Sequence, residues 1–216
     1  MDRLRNLIEG SSSPAVALAF GLVVAACGGK GAGPAEVSGG VATAPAKVEV
    51  PEQNDPKAAQ SFCDKNWPGV GATAMPFSGG PAKRKLADKE ETPAAGTWRW
   101  VNFWATWCGP CLEEMPLLGR WKDALLKEGT PFGLELWSVD EDEPKLRKRM
   151  ADGMPGPVSW VAGPTALANY LTKLGMDPDA MLPIHMLVDP NDKLRCVRIG
   201  SVSPDDYPTV RKLIGK

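Results

Sequence analysis

The stretch from Thr97 to Gly129 constrains the fold of this chain most. "TWRWVNFWA" (97–105) is dense in aromatic and β-branched residues and contains no breaker, as expected of a buried strand. It leads directly into "GPCLEEMPLLGRWKDALLKEG", where Leu112, Met115, Leu118, Trp121 and Leu125 recur at spacings of three and four. That spacing predicts one apolar face of a helix closed by Gly129, with Pro116 inside it expected to kink it. A second strand, "PFGLELWSVD", and a second helix, "EPKLRKRMAD", follow. The order strand, helix, strand, helix implies parallel pairing in a covered sheet, so the fold class is α/β. Further on, "PVSWVAG" reads as a strand and "TALANYLTKLG" as a helix. "PIHMLVD" and "KLRCVRIG" read as an antiparallel hairpin around the turn "PND". "SPDDYPTVRKLIGK" closes as a helix capped by Ser203, with Asp205 and Asp206 in its first turn. The expected architecture is a central mixed sheet flanked by helices, preceded by an N-terminal extension.

Cys108 and Cys111 stand where the strand gives way to the helix. Structural zinc needs four ligands, usually from a second CxxC or a pair of histidines. The remaining cysteines stand apart at 27, 63 and 196, and His185 is the single histidine. A purely structural disulfide across two residues is a poor brace, because stabilisation grows with the loop that is closed. Dithiol exchange fits best. At the head of a helix, unpaired backbone N–H groups and the helix dipole stabilise a thiolate on Cys108. Pro110 suits the first turn, where a missing N–H is no loss, and Cys111 is placed to resolve a mixed disulfide made by Cys108. One histidine rules out the multi-His centres of most catalytic zinc enzymes and leaves little room for a Ser/His/Asp triad. Twenty-five basic and 26 acidic residues nearly cancel, and no basic stripe is interleaved with aromatics, so no nucleic-acid partner is expected.

"WVNFWATWCGPCLEEMPLL" resembles the active-site strand and helix of the thioredoxin-like TlpA/ResA family of extracytoplasmic thiol-disulfide oxidoreductases. The similarity runs from about Gly71 to the C-terminus and strengthens again at "LPIHMLVDPNDKL". The resemblance implies a thioredoxin fold without cofactor or metal. It implies that Pro183 is the cis-proline facing the thiols, and that Trp107, Gly109, Pro110 and Leu182 contact the substrate. An alternative for Trp107 is plain core packing, and for Pro183 an ordinary strand-start proline. Glu114, three residues after Cys111, matches a family glutamate able to relay protons and tune the thiols, whereas Glu113 is read as solvated helix surface. Thioredoxin has an aspartate where this chain has Asn102, so Glu114 is the expected substitute. His185 falls where the family has a small or polar residue, and is read as a packed or edge side chain rather than a base.

The resemblance also implies reduction of disulfides in envelope proteins, such as the CxxCH of an apocytochrome c, with a membrane electron donor of the DsbD/CcdA kind. The Gly-Pro dipeptide between the thiols points the same way. An alternative is a copper chaperone of the Sco type, which also uses two cysteines and a histidine on this fold. Its cysteines are spaced CxxxC, however, and copper titration of the reduced domain discriminates.

Residues 1–27 run from a charged start through "AVALAFGLVVAA" to Cys27, too short an apolar run for a membrane span. "VAAC" resembles the bacterial lipobox, which implies a signal peptide ending at a lipidated Cys27. Residues 28–60 are rich in Gly, Pro and Ala and read as a flexible tether, with a thioredoxin-like domain over 61–216. The expected place is the bacterial cell envelope, periplasmic side, lipid-anchored, at the outer membrane if the organism is Gram-negative. Exported chains are oxidised, so the remaining two cysteines, Cys63 and Cys196, are hypothesised to form a structural disulfide. The segments 63–95 and 162–182 carry no assigned role, and "KRKLADKEE" reads as a solvated hairpin or loop.

Overall fold

The computed structural model describes residues 55–68, 75–78, 80–86 and 95–216. Cys27, the expected signal peptide and most of the expected tether lie outside the described residues. Helix α1 (Pro56–Phe62) and short strands β1 (Lys65–Asn66), β2 (Met75–Pro76) and β3 (Lys83–Arg84) come first. Strand β4 (Trp98–Trp104), helix α2 (Gly109–Lys127), strand β5 (Phe132–Ser138), helix α3 (Glu143–Ala151) and strand β6 (Val158–Val161) follow. Helix α4 (Pro164–Lys173), the hairpin β7 (Ile184–Val188) and β8 (Lys193–Ile199), a 3-10 turn (Pro204–Asp206) and helix α5 (Tyr207–Leu213) complete the chain.

The sheet runs β1-β8-β7-β4-β5-β6-β3, with β2 also paired to β8. Strand β4 lies inside it, parallel to β5 and antiparallel to β7. This position explains its sequence, since Val101, Phe103 and Trp104 are fully buried and neither face is left to solvent. Trp100 meets Trp121 of α2 edge-on at 5.7 Å, so α2 covers the face carrying Trp100. Phe103 packs on Trp137 of β5, and Phe77 bridges Trp137 and Tyr170 of α4.

Helix α2 runs unbroken through Pro116, and Met115, Leu118, Trp121 and Leu125 are buried as their spacing requires. It stops at Gly129, whose φ of 77° lets the N–H of Thr130 return to the Leu125 carbonyl at 2.9 Å.

Three boundaries differ from the sequence reading. The tether does not extend to residue 60, because Asp55 caps α1 by accepting the N–H groups of Lys57 and Ala58. Ala58, Ala59 and Phe62 are buried, so α1 is part of the folded domain. Within "KRKLADKEE", Lys83 and Arg84 form the edge strand β3, antiparallel to β6. The C-terminal helix opens as a 3-10 turn. Pro208 has no N–H to donate to the Pro204 carbonyl, so Tyr207 makes the tighter bond instead. Ser203 still forms the expected cap, with Asp206 completing a capping box.

Candidate active site

The carboxyl ends of β4 and β5 lie side by side, and the loops leaving them build the site. After β4, residues 105–107 turn the chain into α2. Asp140, just past β5, straps this turn: its carboxylate accepts the Thr106 N–H at 2.9 Å, the Thr106 hydroxyl at 2.6 Å and the Ser138 hydroxyl at 2.7 Å. The Trp160 indole donates to the Asp140 carbonyl at 2.6 Å, tying β6 to the same corner. Asp140 is 1% exposed; Ser138 and Trp160 fix it to β5 and β6, and its carboxylate takes both the N–H and the hydroxyl of Thr106, so it holds the loop before Cys108 in place. Sequence reasoning passed over Asp140. Its position at the carboxyl end of a strand beside the active-site strand was the available signal.

Cys108 caps α2, and its sulfur accepts the Cys111 N–H at 3.3 Å. The two sulfurs are bonded, with Cys108 5% exposed and Cys111 fully buried. Cys108 therefore borders solvent, while Cys111 lies inside the helix head. Pro110 sits in the first helical turn as its residue type predicts.

A cavity of about 950 Å³ opens beside Cys108. Trp107, Gly109, Pro110 and Leu182, all expected from sequence to meet a substrate, line it together with Leu167 and Met181. Trp107 is 71% exposed, which removes the core-packing alternative for this side chain. The Leu182–Pro183 peptide is cis. Pro183 is buried, and its carbonyl accepts the Gly200 N–H at 2.9 Å. Asp142, on the cavity wall, accepts the Lys145 N–H at the start of α3, and that bond holds its carboxyl below the usual range.

Glu114 lies behind the thiols on the inner side of α2 and is 4% exposed, whereas Glu113 is exposed. Its Oε1 accepts from the Asn102 side-chain amide and its Oε2 from the Val202 N–H, both at 3.0 Å. His185 Nε2 stands 3.4 Å from Oε1. The histidine is thus a packed side chain, as expected, but it is packed against the carboxylate. Cys63 and Cys196 are disulfide-bonded, joining the end of α1 to β8, away from the cavity lining. Among the described residues no group of His, Cys, Asp or Glu is arranged to hold a metal ion, and no helix is long and apolar enough to cross a membrane.

No family model matches the chain. It is similar to the thiol-disulfide oxidoreductase ResA of Geobacillus thermodenitrificans, at 30% identity over 153 residues, covering 68% of this chain and 79% of the relative. ResA of Geobacillus kaustophilus is 28% identical over 151 residues, covering 67% and 78%. A thioredoxin-family thiol:disulfide interchange protein from Chlorobium tepidum, solved by crystallography, superposes with a TM-score of 0.52 at 24% identity. The match covers 68% of this chain and 100% of that one, and it shows the same fold. On its fold and its similarity to these enzymes, the chain belongs to the ResA family of thiol-disulfide oxidoreductases.

Proposed function

We propose that this protein reduces disulfides in exported proteins, with Cys108 as nucleophile and Cys111 as resolving thiol. The observation that carries this reading is the position of Cys108 at a helix N-terminus, bordered by an open cavity and an exposed Trp107. The helix head supplies N–H groups and a dipole that favour a thiolate there. In the dithiol form the Cys108 thiolate attacks one sulfur of a client disulfide, and the other client sulfur leaves as a thiolate. Cys111 then gives its proton to Glu114, and its thiolate bonds to the Cys108 sulfur. The bond from Cys108 to the client breaks, and the second client sulfur leaves with the electron pair. The client gains two electrons, and the protein is left with the Cys108–Cys111 bond.

The client chain lies across Trp107, Gly109, Pro110 and Leu182. Leu182 lines the cavity, and because the carbonyl of Pro183 is taken by Gly200, the backbone groups left for a client are those of Leu182. Clients are disulfide-containing envelope proteins, apocytochrome c among them. The chain is anchored on the periplasmic side through a lipid on Cys27, at the outer membrane if the organism is Gram-negative, and a membrane thiol donor of the DsbD/CcdA kind restores the dithiol.

The test uses the full chain, reduced, with an oxidised CxxCH peptide. Client thiols should appear with the wild type and not with Cys108→Ser, and Cys111→Ser should accumulate a mixed disulfide. A couple near the thioredoxin value of about −270 mV supports the reducing direction, and one near about −120 mV assigns an oxidant instead. A peptide left oxidised by the wild type would refute the reading.

A further inference from the structure

His185 is the single histidine of the chain, is 1% exposed, and has no part in the steps above. Its surroundings fix where its hydrogen sits. The Trp100 indole N–H points at Nδ1 from 3.0 Å. An indole can only donate, so Nδ1 is the acceptor and the neutral ring carries its hydrogen on Nε2. The Asn102 side-chain amide agrees with this. One of its hydrogens goes to Glu114 Oε1 at 3.0 Å, and its nitrogen lies 3.2 Å from the same Nδ1. Nε2 makes no hydrogen bond among the described residues, and Glu114 Oε1 at 3.4 Å is the polar atom it faces. That distance is longer than a formed bond by a few tenths of an ångström.

Pairing of β4 with β7 sets Asn102 directly opposite His185, on the face that α2 covers. The ionisable groups around the ring are Glu114 from α2 and Arg198, its cross-strand neighbour in β8. Arg198 is turned to the Phe62 carbonyl of α1 at 3.1 Å and lies over the Phe62 ring. Tyr207 of α5 packs on Trp121, behind Trp100.

We propose that His185 is a positioning residue for Glu114. Its Nε2–H is aimed at Oε1, which already accepts from Asn102, and closing that short gap holds the carboxyl group so that Oε2, which accepts only the Val202 N–H, is left to receive the proton of Cys111 in the resolving step. The proposal rests on the reading of Glu114 as the group that takes this proton. His185 itself neither gives nor takes a proton, since Trp100 occupies Nδ1 and the Nε2 hydrogen stays where it is.

Two measurements on the full chain test it. With a single histidine, the imidazole nitrogen resonances report the tautomer directly at neutral pH, and the hydrogen is expected on Nε2. The second measurement is single-turnover release of the second client thiol across a pH series, using an oxidised CxxCH peptide. His185→Leu should slow release about ten-fold and change the shape of the pH profile, the scale of one hydrogen bond to a charged group. His185→Gln, whose amide N–H reaches in the same direction, should stay within about three-fold of the wild type. In a Glu114→Gln background, His185→Leu should cost less than about two-fold more. A hydrogen on Nδ1 overturns the proposal. So does an unchanged rate and profile in His185→Leu, or an equal loss in both backgrounds, which would mean lost packing alone. If Glu114→Gln resolves as fast as the wild type, the relay reading fails first. If Glu114→Gln is slow and His185→Leu is not, the relay stands and only the role of His185 falls.

Discussion

Tyr170 and Tyr207 are the two tyrosines of the chain, and both phenols are held protonated beyond their usual range. For Tyr170 the larger cause is burial, followed by the charge of Asp192. For Tyr207 it is burial and then Glu128, whose carboxylate takes the phenol hydrogen at 3.3 Å. A folded-state value raised above the unfolded one gives stability that is complete below about pH 10 and is lost as pH rises through the raised values. An alkaline titration should therefore show phenolate absorbance appearing later than for free tyrosine, together with loss of tertiary structure. Half-ionisation at about pH 10 with the fold intact would contradict this. The same environment dependence explains which site residues sequence could reveal. Cys108, Pro110, Cys111 and Glu114 lie within seven residues, so helix geometry alone relates them. The contact of His185 with Glu114 depends on β4–β7 register, and the strap from Asp140 to Thr106 depends on two strands ending together. Neither relation is local.

At the scale of elements, the hairpin that carries His185 and follows Pro183 is held by one buried carboxylate. Asp189 Oδ1 accepts the N–H groups of Asn191 and Lys193 at 2.8 and 3.0 Å, and its Oδ2 accepts Arg195 at 3.1 Å. The Asp189 and Arg195 side chains are 3% and 0% exposed. Asp189→Ala removes the turn bonds and leaves a buried guanidinium unpaired, so it should cost about 3–5 kcal/mol. Urea unfolding should show a lower midpoint at unchanged slope. A loss under about 1 kcal/mol would mean that the pair adds little beyond its own desolvation. The hairpin was legible because "PND" lies between two apolar runs. Helix α1 was not, because it is anchored by two alanines and one phenylalanine, too little apolar surface to give a period. The 3-10 opening of the last helix had a readable cause in Pro208, which the capping pattern at Ser203 hid.

At the scale of the molecule, the two disulfides divide the work. Cys108–Cys111 spans three residues, borders the cavity and constrains the unfolded chain little. Cys63–Cys196 spans 133 residues and fastens α1 to β8. Closing so long a loop is worth nominally about 4–5 kcal/mol in the chain-entropy model, with measured losses of about 2–5 kcal/mol for native bridges. Replacing both Cys63 and Cys196 by serine should therefore lower the melting temperature by roughly 5–15 °C and leave thiol exchange at Cys108 intact. The two bridges should also part in order. Cys196 is 2% exposed in a paired strand, whereas Cys108 opens onto the cavity that a reductant can enter. Mild reduction of the native protein followed by alkylation should thus add labels to Cys108 and Cys111, mapped by peptide mass, while Cys63 and Cys196 remain joined. Labels on all four at the same reductant concentration would show that the long bridge is as labile as the short one, and that it belongs to the exchange chemistry rather than to the frame.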